Sequence, residues 1–148
     1  MKFNFKLMNR FDATGRGLMM ELVPGLPEDS SAKQRSIFIS EAAFGFIEPC
    51  ITACWPKYRD FGHWGTSRIP AAVWLRINER LTDLESSLHT LLDPDSVVGV
   101  GFIFAEVREL FSKEYSSIRP ELIQMIYELK EWIDKAVVGK EYITIVGV

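Results

Sequence analysis

The sequence has few of the residues that catalytic and metal sites need. It contains two cysteines and two histidines in 148 residues. A hydrolase of the Ser-His-Asp or Cys-His kind needs a nucleophile, a base and an orienting group that converge, and two histidines leave little choice for such a set. The sequence therefore predicts a protein that is not an enzyme and that needs no cofactor.

The two cysteines, Cys50 and Cys54, stand four residues apart in a segment with helical character, so their side chains are predicted to share one helix face. A structural zinc site normally brings four ligands in recognisable pairs, and His63 is the only further candidate nearby. We therefore expect two buried thiols that act as small hydrophobic groups, and no metal site.

Excess positive charge and long apolar runs are also missing. The net charge is −3, which argues against a nucleic-acid-binding protein that works through phosphate contacts and favours basic partners. The longest apolar run, residues 97–105, includes two glycines and is shorter than the roughly 20 residues that span a bilayer. Residues 2–6 alternate polar and apolar side chains, unlike a secretory signal. These features predict a cytoplasmic protein that binds neither nucleic acid nor a membrane.

The clearest pattern in the sequence is an amphipathic helix over residues 67–92. Thr66 or Ser67 can supply a capping oxygen, and Pro70 suits a first turn. The intervening positions are polar or charged, which predicts one face in water and one face on the core. The apolar face repeats in three- and four-residue steps and comprises Trp74, Ile77, Leu81, Leu84, Leu88 and Leu91.

Alternating patterns before this helix predict strands. Lys2–Asn9 is expected to form a strand with one wet face, which residues 18–23 join as a hairpin after a glycine-rich turn. Residues 36–39 suggest a short strand. Ser40 is then expected to cap a helix from Glu41, which Pro49 kinks or splits.

The last third of the chain is predicted to contain two helices and a strand. Residues 97–105 fit either a buried strand or the start of a helix, and the periodicity favours a helix from about Gly101 to Tyr115. Pro120 is expected to open the last helix and Gly139 to close it. Residues 141–148 follow as a strand that is covered or interior to the sheet.

Together these elements predict one globular domain over residues 1–148, because the length suits a single core. The predicted class is α+β, with about four helices packed on a small, mostly antiparallel sheet that includes both terminal strands.

Two surfaces are candidates for binding. The loop over residues 55–65 combines aromatic rings with charged side chains, as binding hot spots do. The alternative is that Trp55, Phe61 and Trp64 fill the core between two helices. The second surface is an acidic stripe on the last helix. The candidate partner-binding residues are Tyr58, Arg59, Asp60, His63 and Trp64 in the loop, and Glu121, Glu128 and Glu131 in the stripe.

Three stretches carry a resemblance to a known family: the loop ending Phe61-Gly62-His63-Trp64-Gly65-Thr66, the 67–92 helix, and the closing Leu129-Lys130-Glu131-Trp132-Ile133 with Tyr142-Ile143-Thr144-Ile145-Val146-Gly147. With the N-terminal strand pair, this layout resembles small bacterial immunity proteins, which neutralise polymorphic toxins, including those of contact-dependent growth inhibition. The resemblance implies a cytoplasmic, non-enzymatic protein that binds and blocks a cognate toxin, often a nuclease with a basic active site.

Two other functions stay open at this point. The aromatic loop around His63 could form a pocket wall in a small-molecule-binding or enzymatic domain. The chain could also be an interaction module or a homodimer with no toxin as partner. The genomic neighbourhood separates these possibilities, because an immunity gene lies directly beside its toxin gene.

Overall fold

The computed structural model describes residues 2–148, and for Phe61 it describes the backbone alone. Four strands form one antiparallel sheet: β1 (Met19–Val23), β2 (Ile37–Ser40), β3 (Thr66–Pro70) and β4 (Tyr142–Val146). Their order in the sheet is β2-β1-β4-β3. The predicted α+β class with an antiparallel sheet is confirmed, and β1 and β4 lie near the two ends of the sequence.

The helices outnumber the prediction, since several short ones form within segments predicted as turns or loops. Asn9 and Asp29, for example, cap two of them by accepting hydrogen bonds from backbone N–H groups. Over residues 2–148 the α-helices are α1 (Arg10–Ala13), α2 (Ser30–Gln34), α3 (Glu41–Gly45), α4 (Glu48–Cys54), α5 (Tyr58–Phe61), α6 (Ala71–Thr90), α7 (Ala105–Lys113) and α8 (Tyr115–Ala136), with a 3-10 turn at Pro94–Ser96. None of these helices is long and apolar enough to cross a membrane.

The prediction for residues 67–92 is correct for the helix itself and wrong at its beginning. The apolar stripe from Trp74 to Leu88 is buried. Thr66–Pro70, however, is strand β3, and α6 begins at Ala71. Ser67 and Ile69 are buried and pair with Ile145 and Ile143 of β4. The strand conformation of Thr66–Pro70 therefore depends on pairing with β4, more than 70 residues further along the chain.

Two polar positions of α6 were also expected in water and instead bind α8. Asn78 is buried, and its amide donates to Lys130 O and to Asp134 Oδ1 at 2.8 Å. Glu85 accepts a hydrogen bond from Lys130 Nζ, also at 2.8 Å. These contacts fix α6 against α8 beyond their apolar packing.

The prediction of a strand at Lys2–Asn9 is wrong. This segment makes a single β-bridge, between Met8 and Phe38 of β2, and so is not the hairpin partner of β1. Its aromatic rings pack instead on Phe46, in the turn after Gly45: Phe3 and Phe5 lie 5.2 Å and 5.8 Å from it, centroid to centroid. Ring packing, rather than a hydrogen-bond ladder, holds this segment on the fold.

Residues 97–104 are neither the strand nor the helix that the sequence suggested. They form an irregular segment, and α7 begins only at Ala105. Phe104, the residue before this helix, is 52% exposed. Gly99 has φ +88°, a conformation that ends regular structure. Gly101 lies against Pro49 so closely that any side chain there would overlap it.

The last helix begins five residues before the predicted start, so Pro120 lies inside α8. Proline removes one helical hydrogen bond, but this end of α8 has other attachments. The Tyr115 hydroxyl donates to Leu91 O at 2.8 Å, and Arg119 donates to Leu88 O and His89 O. The predicted interior strand is confirmed, because β4 lies between β1 and β3.

Candidate functional site

Three short helices position the candidate site. As the sequence predicts, Pro49 splits the helix that follows Ser40: α3 ends at Gly45, and α4 begins at Glu48 with the proline in its first turn. Ser40 occupies the N-cap position of α3, although its hydroxyl donates to Asn4 O rather than to the helix. The break gives α3 and α4 separate first turns, and each carries a glutamate there, Glu41 and Glu48.

His63 lies between these two glutamates. Its Nδ1 is 2.7 Å and 2.9 Å from the two carboxylate oxygens of Glu48, and its Nε2 is 3.0 Å from Glu41 Oε2. The Tyr58 hydroxyl donates to Glu48 Oε2 at 2.6 Å. The side chains of His63, Glu41 and Glu48 are between 11% and 15% exposed. We call Glu41, Glu48, Tyr58 and His63 the histidine cluster.

The histidine cluster favours the charged form of its histidine. Burial on its own lowers the pKa of His63, but the hydrogen bonds and negative charges of Glu48 and then Glu41 outweigh it and raise that pKa above its ordinary value. Burial, followed by the neighbouring Glu48 charge, raises the pKa of Tyr58, so its hydroxyl stays a donor. The His63 pairing thus stabilises the fold below the ordinary histidine pKa, and this stabilisation is lost as pH rises through the raised value.

Both ring nitrogens of His63 therefore face carboxylates. A general base needs a lone pair within reach of a substrate proton, and here neither nitrogen faces open space. Among the described residues, no group of three or more His, Cys, Asp or Glu side chains is arranged to hold a metal ion. The geometry suits a charged structural clamp.

Trp64 is held on the outside of this cluster. It is 66% exposed, and its ring meets the His63 ring edge-on, with centroids 4.7 Å apart and planes at 69°. The backbone around it is fixed as well, since Gly147 N–H donates to Gly65 O at 2.7 Å and Val148 N–H donates to His63 O at 3.1 Å. Trp64 is thus a large exposed ring on a well-supported turn.

The other loop candidates have different environments. Arg59 and Asp60 are exposed, as expected. The expectation that Tyr58 is a surface anchor is wrong, because it is 3% exposed and packs against Gly62, where a Cβ would overlap its ring. The side chain of Phe61 lies outside the described residues. Of the rings weighed as core filling, Trp55 is partly buried against the core and Trp64 is outside it.

The acidic stripe lies elsewhere, on the outer side of α8. Glu121, Glu128 and Glu131 are all exposed. Glu121 and Glu128 line a groove of about 650 Å³ that Lys2 and Lys6 also line. In the described part of the chain, no hydrogen bond or ion pair joins the stripe to the loop, so the two surfaces are separate.

Glu41 and Glu48 are the site residues that the sequence did not reveal. They precede His63 by 22 and 15 residues, and only the packing of α3, α4 and α5 brings the three together. Glutamate in the first turn of a helix is common because it complements the helix dipole. The sequence therefore gives no signal that separates these two from ordinary capping residues.

The two cysteines differ in burial. Cys50 is 4% exposed, and burial, reinforced by nearby Cys54, raises the pKa of its thiol to about 12. Cys54 is partly exposed, so the expectation of two buried thiols is wrong for this residue. Because the thiolate is the reactive form, Cys50 is a poor nucleophile and a poor metal ligand in the folded chain.

We expect this difference to appear in thiol labelling at pH 8. Cys54 should react with iodoacetamide in the native protein, whereas Cys50 should react only after unfolding in guanidinium chloride. Peptide mass spectrometry of the labelled protein measures both sites, with Cys54→Ser and Cys50→Ala as matched controls. Equal labelling of both cysteines in the native protein would contradict the burial of Cys50.

Comparison with known proteins does not identify this chain, since no family model, no curated protein and no solved structure matches it.

Proposed function

We propose that this chain is a bacterial immunity protein, which binds a cognate toxin and blocks its active site. The observation that carries the proposal is Trp64: a tryptophan that is 66% exposed, with its ring against His63 and with backbone hydrogen bonds holding the residues on either side of it. Tryptophan is enriched among the residues that contribute most to protein–protein affinity.

A fixed ring is a better anchor than a mobile one. Binding immobilises side chains at a cost of about 0.5–1.5 kcal/mol each, and a side chain already held in place avoids much of this cost. The exposed Arg59 and Asp60 beside the turn can supply polar contacts at the rim. The surface around Trp64 therefore has the composition of a binding hot spot.

The same geometry disfavours the enzymatic alternative. In that alternative His63 would serve as acid or base in a pocket, but Glu41 and Glu48 occupy its two nitrogens. A substrate would have to displace one of these charge-assisted hydrogen bonds, which are roughly twice as strong as neutral ones. Binding through Trp64 requires no such exchange.

Charge supports a basic partner. The chain carries a net charge of −3. The exposed Glu121, Glu128 and Glu131 lie on α8, where Lys2, Lys6 and Arg16 line the same groove as the first two and offset part of their charge. Carboxylates of this kind attract a basic toxin and speed its encounter. The proposals that the partner is a toxin and that it is neutralised in the cytoplasm rest on the resemblance of the sequence to immunity proteins.

Co-expression tests the function as a whole. The product of the gene adjacent to this one is expressed in a host cell with and without this chain. We expect growth arrest by the neighbour alone, full growth when both are present, and a purified complex of one copy each. A neighbour that does not arrest growth, or arrest that this chain fails to relieve, would contradict the proposal.

Reversing the charge of the stripe should slow association. In a variant with Glu121→Lys, Glu128→Lys and Glu131→Lys we expect the association rate constant to fall about tenfold at low salt and to depend less on salt, with little change in dissociation. Stopped-flow kinetics at two ionic strengths measure this. The matched control reverses the charges of Glu79, Glu106 and Glu109, which are exposed on α6 and α7. If both triple variants slow association equally, the effect comes from net charge, and the stripe on α8 is not a binding surface.

A further inference from the structure

The histidine cluster contains more hydrogen-bond acceptors than a neutral histidine can satisfy. Charged groups face His63 from two elements: Glu41 from α3 and Glu48 from α4. From α5, the Tyr58 hydroxyl reaches the cluster through Glu48. Residues 147 and 148 carry no titratable side chain, and their backbone N–H groups donate to Gly65 O and His63 O.

Only the imidazolium form can donate to both glutamates at once. A neutral ring carries a proton on one nitrogen and a lone pair on the other. That lone pair would face a carboxylate oxygen at 2.7–3.0 Å, where both atoms are acceptors and repel each other. Deprotonation of His63 therefore breaks one of its two glutamate contacts.

The ring that responds to this proton also supports Trp64. The two rings touch, with centroids 4.7 Å apart, and the residues are adjacent in the chain. If the His63 ring turns away from one glutamate, the surface on which Trp64 packs turns with it. The protonation state of His63 and the position of Trp64 are thus mechanically linked.

We propose that Glu41 and Glu48 are positioning residues for Trp64, which hold His63 as an imidazolium and thereby make the presentation of Trp64 dependent on pH. While His63 is protonated and both glutamates are ionised, the clamp is complete and holds Trp64. As pH rises through the titration of His63, one contact is lost and Trp64 becomes mobile. The consequence for toxin binding rests on the proposed function; the clamp itself is a property of the free protein.

The direction of the titration agrees with this proposal. Glu48 and Glu41 raise the pKa of His63 despite its burial, so the charged form persists to a higher pH than in an exposed histidine. The clamp therefore stays complete to a higher pH than the ordinary histidine pKa would allow, and opens as pH rises further.

NMR of the free protein tests the clamp without a partner. In a His89→Gln background, His63 is the only histidine, and its ring signals are followed from pH 5 to pH 10 together with the indole ring C–H signals of Trp64, assigned with Trp64→Phe. We expect both signals to change with one common midpoint.

Three variants separate positioning from general structure. Glu48→Gln and Glu41→Gln each keep one carbonyl oxygen as an acceptor but remove the charge, and each should lower the common midpoint by about 1 pH unit or more. Glu79→Gln, which removes an exposed charge on α6, should leave it unchanged. Thermal unfolding checks that each variant is folded. If Glu48→Gln does not fold, Glu41→Gln alone tests the proposal, because it leaves the Tyr58–Glu48 contact intact.

A Trp64 signal that stays constant while His63 titrates would overturn the proposal, as would a midpoint that neither glutamate variant moves. Because these measurements use the free protein, failure of the toxin proposal leaves them unaffected. With the toxin in hand, affinity should fall as pH rises through the same midpoint, and Trp64→Ala should remove that pH dependence.

Discussion

Trp64→Ala is expected to weaken binding of the toxin that we propose as partner by about 2 kcal/mol or more, which is a loss of affinity of about 30-fold. The loss should appear mainly as faster dissociation, because anchors of this kind act after the encounter has formed. Removal of the exposed ring leaves the buried histidine cluster in place, so the thermal stability of the free protein should change little. Surface plasmon resonance with the immobilised toxin measures the two rate constants.

A matched control separates a specific anchor from a general loss of apolar surface. Leu92 is 81% exposed just beyond the end of α6, and α6 itself is about 30 Å long by helical rise, which places Leu92 far from β3 and Trp64. Leu92→Ala should leave both rate constants unchanged. If Leu92→Ala weakens the complex as much as Trp64→Ala does, Trp64 is not the anchor.

The largest loss of stability is expected for Trp74→Ala. Trp74 is 1% exposed where α6 crosses the sheet, and its indole Nε1 donates to Ile143 O of β4 at 3.0 Å. Truncation leaves a cavity, which costs about 3–5 kcal/mol for a residue of this size. It also leaves the Ile143 carbonyl without its side-chain donor. Urea unfolding followed by circular dichroism gives the change in unfolding free energy.

Since total stability is typically about 5–15 kcal/mol, Trp74→Ala could leave too little folded protein to measure. Trp74→Phe keeps an aromatic ring and removes the N–H donor, so a smaller loss of about 1–3 kcal/mol is expected. Glu79→Ala, on the exposed face of the same helix, should stay within about 0.5 kcal/mol of the wild type. Equal, small losses for the three variants would contradict the packing of α6 on β4.

The sequence correctly predicted those elements whose conformation depends on residues close by in the chain. The stripe from Trp74 to Leu88 repeats with the helical period. Pro49 interrupts the helix that follows Ser40, because proline lacks the backbone N–H and clashes with the preceding turn. Where the outcome depended on a distant partner, the sequence was not sufficient. Thr66–Pro70 became a strand because β4 pairs with it, and Lys2–Asn9 did not become one because its phenylalanines pack on Phe46.

The candidate site also contains residues that the sequence could predict and residues that it could not. The density of aromatic and charged residues in the 55–65 loop singled out His63 and Trp64, which the structure brings into contact. It could not distinguish buried Tyr58 from exposed Trp64, because both belong to one aromatic run and only packing separates them. Glu41 and Glu48 could not be predicted, since their proximity to His63 exists only in the folded chain.

Fluorine NMR gives the most direct test of Trp64 as the contact with the toxin. The chain has four tryptophans, so incorporation of 5-fluorotryptophan gives four signals, of which that of Trp64 is assigned with Trp64→Phe. On addition of the product of the adjacent gene, we expect the Trp64 signal to shift by the largest amount and to saturate at one equivalent, while that of buried Trp74 stays in place. A complex that forms without any change in the Trp64 signal would contradict the account.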